Sequence, residues 1–381
     1  MKKLETTLKQ VLSSALRFLL GAPACPDPAS HRPSSILVVR QHNQLGDMLC
    51  AVPLLRALRA GFPSARITLL AGSANHEIML HHPYLDEVLL YRKEDFLQGA
   101  LPRPFRLIRF LRNLRSRDFD TAIVPATVSV SFTSGALAYF SGARIRIGPA
   151  SLLGRENPSS FFFNAPRDLD WRGDPDRPQV LRNLDLVRGL VGEMRDLSLC
   201  MGFTPGELTR ASVRVREHVP REARLVVLHP GAGKPPNRWP AARFASLGLR
   251  LRSEFPVVLA VTGGPMDAEA MSDIRPLVPD PCWYLEGMPV REVAAVLSMA
   301  ALVVANDTGI MHVAAAAGAP VLSLFGPTRA AQWAPRGGRH RAVESQDGTM
   351  GGIHEETVLG AARTMLRESQ NEVIASSAPK A

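Results

Sequence analysis

Between residues 36 and 130, short apolar runs alternate with longer stretches of mixed polarity: "ILVVR", "RITLLAG", "DEVLLYR" and "TAIVPA". A second series begins near residue 224 with "RLVVLHPGAG", "FPVVLAVTGG", "CWYLEG", "ALVVAND" and "APVLSLFGPT". Runs that are apolar at every position predict strands buried on both faces, as in a parallel sheet joined by helical crossovers. The helix predicted after "ILVVR" would bury Leu49, Val52, Leu55 and Leu58 on one side. The chain therefore reads as two α/β halves. Open parallel sheets bind ligands beyond the carboxyl ends of their strands, so the two halves are expected to face a shared cleft, with the chemistry just after each apolar run.

From about 155 to 223 the pattern weakens and Pro, Gly and charge rise. The expected division is a basic leader over 1–30, an N-terminal domain over 31–205, a hinge over 206–222, a C-terminal domain over 223–370 and a disordered tail over 371–381. Within it, 155–180 is expected to be a long loop, with Phe161–Phe163 as a candidate edge strand. In the leader, helical spacing puts Leu4, Leu8, Val11, Ala15 and Leu19 on one face and Lys2, Lys9, Ser13 and Arg17 elsewhere. Both a membrane-surface helix and a packing helix fit that pattern.

Composition narrows the class. With 381 residues, 46% hydrophobic and 21% charged, the chain can bury a large core, and its length suits two domains. The 45 basic against 35 acidic residues give a formal +10, which favours anionic partners. The cations are not interleaved with aromatics, so nucleic acid is not expected. Cys25, Cys50, Cys200 and Cys282 stand far apart, with neither metal-ligand nor disulfide-framework spacing, and suit a reducing cytoplasm. No apolar run reaches the roughly 18 residues that span a bilayer.

Four turns carry candidate chemistry. Asp47 follows Gly46 at the start of a helix, where it serves either as a first-turn acid favoured by the helix dipole or as a general base. Gly231-Ala232-Gly233 follows a strand, with Lys234 and Arg238 close behind, as a phosphate-binding turn requires. "VTGGPMDAEAM" ends a strand on two glycines followed by Asp267, either a ribose-binding acid or a solvated helix-start acid. "NDTGIMHVAAAAG" ends a strand on Asp307; Thr308 is placed to cap the next helix, Gly309 permits close approach and His312 lies one turn along. Gly326 and Thr328, in "FGPT", close the following strand.

In this order and spacing, "LGDMLCAVPLLRALRAGFP", "HPGAG" with "RWP", "VTGGPMDAE" and above all "NDTGIMHVAAAAGAPVLSLFGPT" resemble glycosyltransferase family 9, the ADP-heptose:lipopolysaccharide heptosyltransferases. The resemblance implies the GT-B architecture, an α/β fold of two Rossmann-like domains facing a central cleft. It implies an inverting, metal-independent transfer of heptose from an ADP-heptose co-substrate, with no cofactor, onto a lipopolysaccharide core or related glycan. By motif, Asp47 is then the catalytic base beside Gly46. Lys234 or Arg238, Gly231, Gly233, Thr308 and Gly309 bind the donor phosphates, and Asp307 and His312 bind the donor sugar. Asp267, Gly287 and Met288 bind the nucleotide, while Gly326 and Thr328 line the cleft. Partners implied are the nucleotide sugar and a lipid-linked or phosphorylated glycan acceptor, met at the inner face of the cytoplasmic membrane. Another donor, another acceptor, or a sugar-nucleotide epimerase of like architecture are the alternatives.

One stretch stands outside these motifs. "RPFRLIRFLRNLRSR" carries six arginines between Arg103 and Arg117, opposite Leu107, Phe110, Leu111 and Leu114 on a helix. It fits a solvated crossover helix or a contact with acceptor or membrane phosphates.

Overall fold

The computed structural model describes residues 31–41, 44–98, 101–337 and 339–377. The expected leader lies outside them. The described chain forms two compact units. One holds the strand Ser35–Arg40 with residues 50–76 and 83–196; the other holds Gln44–Leu49, Glu77–His82 and the chain from Leu197 onward.

The first unit is built on β1 (Ser35–Arg40), β2 (Arg66–Gly72), β3 (Glu87–Tyr91), β4 (Thr121–Ile123), β5 (Ile145–Leu152), β6 (Arg155–Glu156) and β7 (Ala165–Leu169). Their order is β3-β2-β1-β4-β5-β6, with β7 paired to β5. Central β1 runs parallel to β2, with Ile36 opposite Ile67, and parallel to β4, with Ile36 opposite Thr121. Ile36, Leu37, Val38 and Val39 are wholly buried, as the uninterrupted apolar run requires of a strand covered on both faces. After β1 come α1 (Leu45–Leu49) and α2 (Val52–Gly61), the second opening on a first-turn proline and burying Leu54, Leu55 and Leu58. Helix α3 (Pro104–Arg115) sets Phe110, Leu111 and Leu114 against the Leu37, Leu70 and Phe119 cluster. Helix α4 (Phe132–Phe140) is capped by Ser131, whose Oγ accepts from the Ser134 N–H, and α5 (Gln179–Asp185) follows.

Two expectations here are corrected. Phe161–Phe163 is not a strand: Ser160–Phe162 is a 3-10 turn, and the edge strand is β7, two residues beyond Phe163. The Phe162 and Phe163 N–H groups donate to the carbonyls of Ser159 at 3.2 Å and Ser160 at 2.9 Å, three residues back, so they close a turn instead of joining a strand ladder. The supposed loop over 155–180 therefore contains two strands and the start of α5.

The second unit carries β8 (Arg224–His229), β9 (Val257–Gly263), β10 (Cys282–Glu286), β11 (Leu302–Asn306), β12 (Val321–Phe325) and β13 (His340–Glu344). All pair in parallel, in the order β10-β9-β8-β11-β12-β13. This is the doubly wound Rossmann order, whose direction of winding reverses between β8 and β11. The polar edge strand β13 has no apolar run and is absent from the sequence reading. The helices are α6 (Pro205–His218), α7 (Ala241–Glu254), α8 (Ala268–Ile274), α9 (Val290–Leu297), α10 (Gly309–Ala316), α11 (Ala330–Trp333) and α12 (Glu355–Ser377). Trp239, Phe244 and Leu251 pack with Val358 and Leu366 of the last helix in one core.

The expected hinge at 206–222 is mostly α6. Its "TPGE" is a helix start: Thr204 Oγ1 accepts from the Glu207 N–H at 3.2 Å, Glu207 accepts from the Thr204 N–H at 2.7 Å, and Pro205 needs no donor in the first turn. The expected tail is likewise shorter, because α12 continues to Ser377.

Candidate active site

Because the strands of the second sheet are parallel, the turns after β8, β9, β10, β11 and β12 lie along one edge. The reversal between β8 and β11 opens that edge at two places in the sequence, residues 230–233 and Asp307. Asn306 joins them. Wholly buried, it donates through Nδ2 to the carbonyls of Pro230 at 2.9 Å and Gly231 at 3.1 Å, while its Oδ1 accepts from the Trp239 N–H at 3.0 Å. One amide thus ties the glycine turn and "RWP" to the end of β11, just before Asp307. Sequence reasoning missed Asn306; the available signal was a lone amide closing the fully apolar "ALVVA".

The two glycines of that turn differ. A Cβ on Gly231 would lie 2.1 Å from Asp267 Oδ1, whereas one on Gly233 would meet nothing within 4 Å. Asp267 is buried against Gly231, and its Oδ2 accepts from the Gly264 N–H at 2.8 Å. Its carboxylate thus braces two glycine turns, so it is not the solvated acid that one reading allowed. Beneath it, His229 Nδ1 donates to the Thr262 carbonyl at 2.9 Å. Burial pushes the His229 imidazole below its ordinary range, against the opposing pull of Asp267 and that carbonyl.

The cations also separate. Arg238 is engaged with its own surroundings, donating from Nε to the Ala232 carbonyl at 3.2 Å and from Nη1 to Glu269 Oε2 at 2.5 Å. Lys234 is exposed and acts on Asp307. Burial raises the half-buried Asp307 carboxyl above its usual range; the Thr328 hydroxyl and the Lys234 ammonium pull it back in part. Thr328 Oγ1 is buried and meets no hydrogen-bond partner of good geometry. Asp307, Lys234 and Thr328 are therefore brought together, with polar capacity left over.

Helix α10 begins beside them. Thr308 holds the N-cap position at φ −154° and ψ 166°, yet its side chain makes no capping bond, contrary to expectation. The Thr308 hydroxyl therefore satisfies none of the first-turn N–H groups, and a helix start without its own cap suits an anion. Onto this turn packs α1. A Cβ on Gly46 would lie 2.7 Å from His312 Cδ2, and one on Gly309 would lie 3.1 Å from Leu45 Cβ. The two glycines let helix backbones approach where side chains would separate them, and they bring Asp47, buried in the first turn of α1, to the start of α10. His312 is 2% exposed, and burial pushes it down to about 4, so it is a neutral imidazole near pH 7. Its ring stands edge-on to Trp333 at 6.4 Å between centroids.

The remaining predicted residues lie further along the edge. Gly326 admits the backbone of a neighbouring turn, since a Cβ there would lie 2.7 Å from the Met350 nitrogen. Asp347 organises that turn by accepting from Ser345 Oγ at 2.6 Å, the Thr349 N–H at 2.8 Å and Thr349 Oγ1 at 2.9 Å. Gly287 has φ +67°, a left-handed conformation that explains the glycine. Met288 lines a groove between α6 and α9 with Glu207, Arg210, Arg214 and Glu292.

A second polar assembly in this unit also escaped the sequence reading. Arg291, buried on α9, donates from Nε to Glu207 Oε1 at 2.6 Å and from Nη2 to Glu207 Oε2 at 2.8 Å. It also reaches the carbonyls of Glu77 at 2.9 Å, Leu80 at 3.1 Å and Gly202 at 2.8 Å. The guanidinium and the Thr204 groups hold the Glu207 carboxyl down at about 2. Among the described residues, no group of three or more His, Cys, Asp or Glu is placed to hold a metal ion.

Residues 107–362 match the model of glycosyltransferase family 9 (heptosyltransferase). The chain is 28% identical over 353 residues to lipooligosaccharide heptosyltransferase 2 of Haemophilus influenzae, covering 87% of this chain and 97% of that protein. It is 28% identical over 301 residues to lipopolysaccharide heptosyltransferase 2 of Salmonella typhimurium, covering 74% and 80%. The solved structure of Escherichia coli ADP-heptose lipopolysaccharide heptosyltransferase II superposes with a TM-score of 0.72 at 23% identity, covering 88% of this chain and 99% of that one. At that identity the likeness shows the fold, two Rossmann-like units of the GT-B class.

Proposed function

The chain belongs to glycosyltransferase family 9, the heptosyltransferases, and from that premise we propose that it transfers heptose from ADP-heptose, with inversion and without a metal, to a lipopolysaccharide core or related glycan. Asp47 accepts the proton of the acceptor hydroxyl as that oxygen bonds to the anomeric carbon. The bond from that carbon to the diphosphate oxygen breaks, its electron pair leaves with ADP, and inversion follows from attack on the opposite face. Lys234 and the uncapped N–H groups at the start of α10 meet the charge that develops on the diphosphate. Asp307 and neutral His312 hold the sugar, and Gly287 and Met288 meet the base.

The observation that supports this reading is the close packing of Gly46 on His312 and of Leu45 on Gly309, next to buried Asp47 and to a helix start that the Thr308 side chain does not cap. The named relatives support the donor and the acceptor class. The enzyme works at the inner face of the cytoplasmic membrane, where a lipid-linked acceptor is found; the basic net charge supports this, and no described helix is long and apolar enough to cross a bilayer. Replacing Asp47 by Asn tests the base: ADP affinity is expected to hold within about twofold while turnover falls by about 10²-fold or more. Near-normal turnover overturns the assignment. A thermal shift larger with a GDP- or UDP-sugar than with ADP-heptose would move the reading to another donor.

A further inference from the structure

Helix α3 buries one stripe and leaves an unusual face outside. Leu114 is buried and Leu107, Phe110 and Leu111 are half-buried, with Phe110 against the rings of Tyr91 and Phe96. Opposite that stripe, helical spacing aligns Phe105, Ile108, Arg109 and Arg112, flanked by Arg106 and Arg115. Phe105 is 86% exposed and Ile108 45%, and all four of those arginines are exposed. Arg117 differs, since its Nη1 bonds both carboxylate oxygens of Glu87 at 2.5 and 2.6 Å. α3 itself offers Arg106, Arg109 and Arg112 no acidic neighbour, and no ion pair of theirs occurs among the described residues. A solvated crossover helix accounts for the arginines but not for an aromatic and a β-branched side chain held in water among them.

We infer that this face of α3 docks on an anionic lipid surface. Phe105 and Ile108, one helical turn apart, enter the boundary between headgroups and acyl chains, and the arginines on either side meet lipid phosphates. Charge complementarity selects the bilayer: α3 itself carries arginines and no acidic residue, and Phe105 and Ile108 stand exposed among them. The inference deepens the membrane part of the proposed function, resting on it only in that a lipid-linked acceptor requires an enzyme at the bilayer.

The test is co-sedimentation of the full chain with vesicles of phosphatidylglycerol and phosphatidylethanolamine, set against phosphatidylcholine alone. The chain is expected to favour the anionic vesicles. The double variants Phe105→Ser/Ile108→Ser and Arg109→Glu/Arg112→Glu should each bind them about tenfold more weakly. Thermal stability and turnover on a water-soluble acceptor should stay as in the parent. Tryptophan at Phe105→Trp should be quenched by brominated acyl chains beyond the parent's signal, a readout that does not depend on either double variant folding. Vesicle binding unchanged in both double variants, or a parent chain indifferent to anionic vesicles because this face meets an acidic protein, overturns the inference. Failure of the parent to transfer heptose to the soluble acceptor overturns the reaction instead and leaves the vesicle result standing.

Discussion

Arg291 with Glu207 and Lys234 with Asp307 are two pairings of opposite charge in the same unit, finished to different degrees. The Arg291 guanidinium meets a carboxylate and three backbone carbonyls, and Glu207 also closes a capping box. Asp307 is half-buried like Glu207, but its partners are few: an exposed ammonium, a hydroxyl without a well-formed bond and a helix start that Thr308 does not cap. A completed network fixes backbone, because any change leaves a buried charge unsatisfied. An incomplete one keeps capacity for a ligand. The comparison assigns the first to folding and the second to binding, and it can be broken experimentally.

The largest effect is expected at the completed network. Arg291→Ala should destabilise the protein by about 3–5 kcal/mol in denaturant unfolding, by removing the cation from the Glu207 carboxylate, which keeps only its Thr204 donors, and by taking a side-chain donor from three backbone carbonyls. A loss below about 1 kcal/mol would refute the structural role.

Acid titration should separate the two regions. Burial depresses His312, so the folded state binds fewer protons there than the unfolded chain. Stability is intact above the unfolded value of about 6.5 and is lost as pH falls toward about 4, by up to about 3 kcal/mol. Glu207 is depressed from 4.5 to about 2, so its contribution is present above 4.5 and disappears as pH falls through about 2. His312→Gln should shrink only the upper window, to which the buried His229 and His340 also contribute, and Glu207→Gln only the lower one. A single shared window would dissolve the distinction.

Lys234→Ala should weaken ADP binding by about tenfold or more, measured calorimetrically, while changing stability by less than about 0.5 kcal/mol. Arg238→Ala should show the reverse balance, since its donors serve Ala232 and Glu269. Equal binding losses would place both cations on the ligand. The smallest effect belongs to Gly233→Ala, within about 0.5 kcal/mol of the parent, against a clear loss for Gly231→Ala, whose Cβ would collide with Asp267.

Much of the fold was legible because buried parallel strands carry uninterrupted apolar runs, as residues 36–39 of β1, 225–228 of β8 and 302–305 of β11 do. The polar edge strand β13 carries no such pattern and was missed. The "TPGE" start of α6 was readable in principle, yet its Pro and Gly suggested a linker when the capping box was the stronger signal. The turns after the strands were found by their glycines. Which glycines are sterically required was not, since Gly231 and Gly233 differ only in what approaches them from elsewhere in the chain.

The sequence alone determined two runs of βα units, the edge on which the chemistry gathers, and the motifs that mark the family. These follow from local pattern: apolar strands, glycine turns and helix starts are written in consecutive residues. Only the tertiary structure decided that Asn306 ties three motifs together, that Arg238 is held by Glu269 while Lys234 stays exposed, and that Gly46 of α1, next to Asp47, packs on His312 of α10. Hydrogen bonds and close approaches between residues tens to hundreds of positions apart have no local signature, so their partners exist only once the chain has folded.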